Sequence, residues 1–374
     1  MRLDTHLSLD RNRVPAYCTT SGHYTSTPQQ KTHSMQAYVK AIAHYLPETR
    51  ITTAELAQRF PEWSVEKIQE KTGINVRYIA APDQCSSDLG VLAAQKLFEE
   101  NPCAKEDIDF IIFCSQSHDH PLPATACLIQ DRLGIPRTIG ACDIGLGCSG
   151  YVYGLGMAKG LIETGQATNV LLITAETYSK YLHPDDKRVQ TIFSDGAAAT
   201  WVGSRKDDGL APLGPFVYGT DGGGAKNLII KQGGLRQPFP GPWGLGRTEN
   251  FITHDRDGCL FMNGPEIFKF TLRVVPRAVN ELLGKARIPF GDIDLFVFHQ
   301  ANIYILQRLR DTIDIPENKF LLDLSEVGNT VSSTIPIALA RAFKEDRVEP
   351  GTTAMLVGFG VGYSWGACIM RHVG

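Results

Sequence analysis

The sequence predicts an α/β protein made of two similar halves, and three observations carry that prediction. The stretch Asp107-Ile-Asp-Phe-Ile-Ile-Phe-Cys-Ser115 recurs in kind as Asp292-Ile-Asp-Leu-Phe-Val-Phe-His-Gln300: an acidic turn, a near-continuous apolar run, then a polar pair. Asn169-Val-Leu-Leu-Ile-Thr-Ala175 recurs as Thr353-Ala-Met-Leu-Val-Gly-Phe359. The two pairs are offset by 185 and 184 residues, and two independent apolar strands would not share an offset by chance as readily as one pair might resemble another.

Taken in order, residues 1–34 are mostly polar and hold no apolar stretch of the kind a signal peptide needs. They are expected to be a flexible N-terminal extension whose loss leaves activity intact. Met35 precedes the first plausible strand, so the first half is expected over 35–210 and the second over 211–374. Helical patterns at 87–100, 123–133 and 148–165 serve the first half, and 264–285, 302–312 and 329–344 the second. Strands alternating with helices imply crossover connections, and so mostly buried, mixed sheets in which parallel pairing predominates. The helix after Cys148 carries Gly150, Gly154, Gly156, Ala158 and Gly160. Each glycine costs a helix about 1 kcal/mol against alanine, so this helix is expected to be central, where neighbouring backbone comes close. The stretch 220–247, with Pro238-Phe-Pro-Gly-Pro-Trp-Gly244, reads as a loop between the halves.

The chain's 374 residues, 43% hydrophobic and 21% charged, suffice for one large domain or two ordinary ones. A net charge of −3 gives no reason to expect nucleic acid or a membrane surface as partner. No apolar run approaches the roughly 18 residues of a spanning helix. The nine cysteines are odd in number, form no CxxC pair and sit mostly in apolar runs, as Cys114 does. About eight of them read as buried free thiols, which points to a reducing cytoplasm. His118-Asp-His120 has no further ligands at matching spacing, so it reads as a polar loop and no metal is expected.

Three residues, far apart in the chain, carry chemistry together. Cys148 ends Asp143-Ile-Gly-Leu-Gly-Cys148, where a strand closes and a helix opens. Read alone it is a small buried hydrophobe; at a helix N-terminus the partial positive charge favours the thiolate and makes it a nucleophile. His299, in Val297-Phe-His-Gln-Ala-Asn302, is either a core histidine with one backbone bond or a donor to a thioester carbonyl through Nε2. Asn329, in Val327-Gly-Asn-Thr330, is either a helix cap or a second, uncharged donor. A thiol that holds an acyl group, beside two donors that hold an enolate, is what carbon–carbon bond formation between thioesters requires. The glycine-rich turn Gly358–Gly366 offers backbone N–H groups for an oxyanion.

With these motifs assembled, the chain resembles the β-ketoacyl-acyl carrier protein synthase III family of the thiolase superfamily from about Met35 to its C-terminus. Lys71-Thr-Gly-Ile74, Pro123-Ala-Thr-Ala-Cys127, Ser194-Asp-Gly-Ala197 and Phe261-Met-Asn-Gly264 share in the resemblance. It implies a thiolase-like fold of two pseudo-duplicated halves and a homodimer. It further implies ping-pong chemistry: Cys148 takes an acyl group from a coenzyme A or carrier-protein thioester, then His299 and Asn329 hold a malonyl-type thioester through loss of carbon dioxide. Backbone N–H groups of Cys148 and Val361 would bind the oxyanion, and Phe359 would press on the malonyl carboxylate. No cofactor is implied beyond the coenzyme A or phosphopantetheine of the substrates.

Several positions depart from the family pattern. Lys71 stands where arginine is usual, and Lys67 where a tryptophan stacks on the coenzyme A base. Tyr304 replaces an arginine that meets the carrier protein, and Val361 replaces a glycine. Leu122 stands where a phenylalanine commonly floors the partner's acyl pocket, so a deeper pocket and a primer longer than acetyl are expected. These departures point to a specialised member, serving a polyketide, quinolone or surface-polysaccharide pathway. Lys269, Arg273 and Arg277 recur every fourth residue and form one basic stripe, either a carrier-protein landing site or a solvated face. Two other readings stay open: acyl transfer to oxygen or nitrogen without decarboxylation, and a silent subunit of a heterodimeric condensing enzyme.

Overall fold

The computed structural model describes residues 35–101, 105–206, 209, 211–239 and 256–373. The N-terminal extension, Cys18, Cys103 and positions 240–247 of the Pro/Gly-rich loop lie outside the described residues. Strand β1 (Met35–Tyr45) comes first, followed by the antiparallel pair β2 (Thr49–Thr52) and β3 (Val76–Ile79) around helices α1 (Thr53–Arg59) and α2 (Val65–Thr72). Then follow α3 (Ser86–Glu100), β4 (Phe110–Cys114), α4 (Thr125–Leu133), β5 (Gly140–Ile144), α5 (Gly150–Glu163), β6 (Asn169–Glu176), α6 (Lys187–Gln190) and β7 (Gly196–Lys206). The remainder comprises β8 (Leu213–Thr220), the short pair β9 (Leu228–Ile229) and β10 (Phe261–Met262), α7 (Gly264–Ala286), β11 (Leu295–Phe298), α8 (Ile303–Ile313), α9 (Thr334–Lys344), β12 (Thr353–Gly360) and β13 (Ser364–Arg371).

The duplication read from the sequence is visible in the sheets. One runs β1-β7-β6-β4-β5, the other β8-β13-β12-β11. In the same order each has two antiparallel pairings and then a parallel one: β1/β7, β7/β6 and β6/β4 match β8/β13, β13/β12 and β12/β11. The fifth strand, β5, has a remnant in the second sheet, a single parallel bridge from Phe296 to Phe320. Cys148, just past β5, thus corresponds to Asn329, just past that bridge. The expected boundary at 210/211 falls between β7 and β8, the last strand of one sheet and the first of the other. Parallel pairing does not predominate: β12 turns straight back into β13, and such a return needs no crossover helix.

Helices α5 and α9 lie between the sheets, each packed against strands of both. Tyr151, Val152, Leu155, Ala158 and Ile162 of α5 are fully buried among Val170, Leu172, Leu356 and Met370; each large aliphatic contributes about 1.5–3 kcal/mol. The glycines of α5 admit side chains from the sheets rather than backbone, which corrects the expectation. A Cβ at Gly154 would stand 2.6 Å from a Leu172 methyl and one at Gly156 1.8 Å from the Tyr218 hydroxyl, while Gly160 has nothing within 4 Å. Helices α3 and α4 cover the outer face of the first sheet, and α7 and α8 that of the second. Side-chain caps set several starts: Ser64 accepts from Lys67 N, Asn263 from Glu266 N, and Asn302 from Ile305 N. Among the described residues no helix is long and apolar enough to cross a membrane. All seven described cysteines are free, but Cys127 is exposed and Cys85 and Cys142 are only half-buried, so fewer are buried than expected.

Candidate active site

Cys148 arrives on the segment joining β5 to α5, where Gly150 N–H donates to Gly147 O at 2.7 Å and turns the chain sharply. β12 runs directly beneath. A Cβ at Gly358 would stand 2.7 Å from Cys148 O and 2.8 Å from Ser149 Cα, and one at Gly360 2.8 Å from Cys148 Cβ. Only glycine lets the cysteine turn lie on that strand. Ser149 Oγ is 2.7 Å from Ser364 Oγ, which donates to Val361 O at 2.8 Å, so the turn after β12 is tied to the cysteine turn. As a result the backbone N–H groups of Cys148 and Val361 lie near enough to the Cys148 sulfur to favour its thiolate.

The thiol does not open the helix as expected; α5 begins two residues later. Its environment also opposes ionisation: burial, and secondarily the Glu176 carboxylate, push it up to about 12 against the two N–H bonds. Glu176 is itself raised to about 8 by burial. That carboxyl joins the halves. It accepts from Ser332 Oγ at 2.8 Å, Ser117 Oγ at 2.9 Å and Gln116 N.

His299 directly follows β11, its N–H donating to Val357 O at 2.8 Å. The ring is 2% exposed, Nδ1 lies 2.7 Å from Thr334 Oγ1, and burial lowers the imidazole to about 3. The site therefore holds a neutral thiol and a neutral imidazole, not an ion pair. The Phe359 ring meets His299 edge-on at 5.5 Å between centroids.

Asn329 does not cap α9, which starts at Thr334. Backbone bonds hold it to the first half instead: Ser194 N–H donates to Asn329 O at 2.9 Å and Asn329 N–H to Ile192 O at 3.1 Å. Its Oδ1 accepts from Val331 N–H at 2.9 Å and its Nδ2 donates to Ala301 O at 3.2 Å. With Oδ1 occupied by a backbone donor, the NH2 end is assigned by the network, and its second hydrogen is left for a ligand. Val331 adopts φ +56°, which a β-branched residue rarely tolerates; such strain costs of order 1–3 kcal/mol.

Cys148, His299 and Asn329 line one cleft of about 690 Å³ together with Phe193, Leu228, Tyr304 and Phe359. The structure brings the three sequence-predicted side chains to one cleft. Leu122 does not line it: the side chain is 80% exposed. Lys269, Arg273 and Arg277 are exposed on one face of α7, outside the cleft. Lys269 pairs with Glu266 at 2.8 Å and Arg273 with Asp221 at 3.0 Å. His118 of the polar loop lies 3.7 Å from Asp143. One residue escaped the sequence reading. Trp63 and Lys71 share an adjoining cleft of about 520 Å³ with Arg188, and the nitrogens of Lys67, Lys71 and Lys187 lie 5.7, 5.4 and 5.2 Å from the Trp63 ring. A count of four residues back from Lys71 stops at Lys67; the tryptophan stands two helical turns back, just before α2.

Two stretches of the chain match family models. Residues 142–222 match 3-oxoacyl-[acyl-carrier-protein] synthase III and residues 283–372 its C-terminal model. A β-ketoacyl-[acyl-carrier-protein] synthase III of Clostridium perfringens is 37% identical over 327 residues, 87% of this chain and 96% of that protein. A crystal structure of a 3-oxoacyl-(acyl-carrier-protein) synthase III is 49% identical with a TM-score of 0.85, over 90% of this chain and 99% of the other. The priming β-ketosynthase of the R1128 polyketide pathway is 26% identical with a TM-score of 0.80, over 93% of this chain and 99% of the other. This chain belongs to the β-ketoacyl-[acyl-carrier-protein] synthase III family, acyltransferases of the thiolase fold.

Proposed function

We propose that Cys148, His299 and Asn329 divide a decarboxylative Claisen condensation between them, giving a 3-oxoacyl product. The observation that carries this reading is the cleft that all three side chains line. The thiol attacks the carbonyl carbon of an acyl thioester, and its proton passes to the departing thiolate. The oxyanion rests on the Cys148 and Val361 N–H groups, and the carrier thiol leaves with a proton. A malonyl-type thioester then places its carbonyl oxygen between His299 Nε2 and Asn329 Nδ2. The bond to its carboxylate breaks, carbon dioxide departs, and the electron pair passes into the enolate. That carbon attacks the acyl-cysteine, the new carbon–carbon bond forms, and the expelled thiolate takes a proton from water to restore the thiol. Phe359, edge-on to His299, supplies an apolar wall against the carboxylate, which favours its loss as neutral carbon dioxide.

Transfer to oxygen or nitrogen is not favoured, since it gives Asn329 no task. A silent subunit is not favoured either, because the chain keeps all three side chains. The substrates are acyl-coenzyme A or acyl carrier protein thioesters, with no metal or other cofactor in the steps above. Trp63 and its lysines provide a ring and cations for the nucleotide end of coenzyme A, replacing the contacts that Lys67 and Lys71 alone would not make. The stripe Lys269, Arg273, Arg277 serves an acidic carrier protein, although two of its members already hold carboxylates. Exposed Leu122 packs into the acyl pocket of a second copy, giving a homodimer whose pocket takes a primer longer than acetyl in a specialised pathway of the cytoplasm. Intact-mass measurement with acyl-coenzyme A thioesters of increasing length tests this reading. It predicts an acyl adduct lost in Cys148→Ala and formed faster beyond acetyl. No adduct, or one that survives the substitution, contradicts the nucleophile; acetyl reacting fastest contradicts the deep pocket.

A further inference from the structure

A neutral His299 can stabilise an enolate oxygen only if its single ring proton sits on Nε2. Were it on Nδ1, Nε2 would offer a lone pair to a developing negative charge and repel it. Nothing in the β11 backbone decides between the two tautomers. The decision lies 35 residues along the chain, at Thr334, the 3%-exposed first residue of α9, whose Oγ1 is 2.7 Å from Nδ1.

The threonine hydroxyl has one proton and two acceptors within reach, His299 Nδ1 at 2.7 Å and Val331 O at 3.2 Å. Turned to Val331 O, it would need Nδ1 to be the donor, leaving Nε2 bare. The 2.7 Å contact is made in either case; turned to Nδ1, the hydroxyl is its donor and the ring proton must sit on Nε2, the arrangement an enolate oxygen requires. We propose that Thr334 is a positioning residue which selects the Nε2–H tautomer of His299 for the decarboxylation step, a role that rests on the function proposed above. Its placement ties the tautomer to the loop that carries Asn329. Val331, whose carbonyl competes for the hydroxyl, is the residue whose N–H orients the Asn329 amide. Both donors to the enolate are thus set by one short segment, 329–334.

The test uses the full chain and the variants Thr334→Val and Thr334→Ser, with two kinds of readout. The ¹⁵N shifts of the His299 ring, assigned against His299→Asn, report the tautomer. Malonyl-coenzyme A decarboxylation and acyl-coenzyme A labelling of Cys148 report the two half-reactions separately. We expect Nε2–H in the unaltered protein and in Thr334→Ser. In Thr334→Val we expect mixed tautomers and decarboxylation slowed about 10–100-fold, with Cys148 labelling nearly unchanged. Nδ1–H in the unaltered protein overturns the proposal, whatever the fate of the variants. So does a valine variant with full decarboxylation, or an equal loss in both half-reactions that serine does not rescue. An unaltered protein that shows Nε2–H but decarboxylates nothing would instead refute the function proposed above and leave the hydrogen-bond assignment standing.

Discussion

The thiol of Cys148 and the imidazole of His299 sit where burial suppresses charge on both, pushing one up to about 12 and the other down to about 3. Proton transfer from sulfur to nitrogen is therefore steeply uphill, and the two side chains act in separate half-reactions rather than as a pair. The sign for pH dependence follows. A ring whose proton affinity lies far below its ordinary value stays neutral throughout the working range, so His299 places no acid limb on the rate near its usual value of about 6.5. The rate of malonyl-coenzyme A decarboxylation should be level from about pH 5.5 to 7.5, measured as carbon dioxide release, apart from any ionisation of the substrate. A limb near 6.5 that vanishes in His299→Asn would show a titrating ring and refute this picture. Residue identities at this scale were legible in the sequence, but their protonation was not. A helix N-terminus argues for a thiolate, whereas desolvation depends on packing by Phe193, Leu228 and Val331 that no local pattern reveals.

At the scale of elements, β12 does more than extend a sheet. Its alternate glycines, Gly358 and Gly360, give the cysteine turn its floor, and its last residues lead into the turn that carries the Val361 N–H. Gly360→Ala would set a methyl 2.8 Å from Cys148 Cβ and 2.9 Å from its sulfur, with no flexible chain end to yield. Acylation of Cys148 should fall about 100-fold, the cost of moving a reacting atom by about 1 Å, while thermal unfolding shows a folded protein. Unchanged labelling would mean that the turn does not rest on this strand. The strands and helices of the core were legible because their periodicity and length are strong, as in 87–100 against Ser86–Glu100. Less legible were the places where tertiary bonds override local pattern. The helix expected from 329 starts at Thr334 because Asn329 is pinned to Ile192 and Ser194, and the antiparallel return of β13 follows from a turn that reads only as a run of glycines.

At the scale of the molecule, duplication explains how distant residues meet. Segments that follow strands of both sheets line one cleft, delivering Cys148 from the first half and His299 and Asn329 from the second. The bonds from Glu176 and Thr174 to Ser332 and Ser333 then fasten the halves at that point. The offset near 185 residues made the duplication legible, but the cross-links between halves were not, since isolated serines and a glutamate carry no pattern. The division of labour across the halves is tested most directly by measuring both half-reactions in Cys148→Ala, His299→Ala and Asn329→Ala. The account predicts that Cys148→Ala forms no acyl adduct yet still releases carbon dioxide from malonyl-coenzyme A. It also predicts that the other two variants form the adduct while carbon dioxide release falls about 10²–10³-fold. Loss of acylation in all three, or undiminished carbon dioxide release in the histidine and asparagine variants, would contradict it.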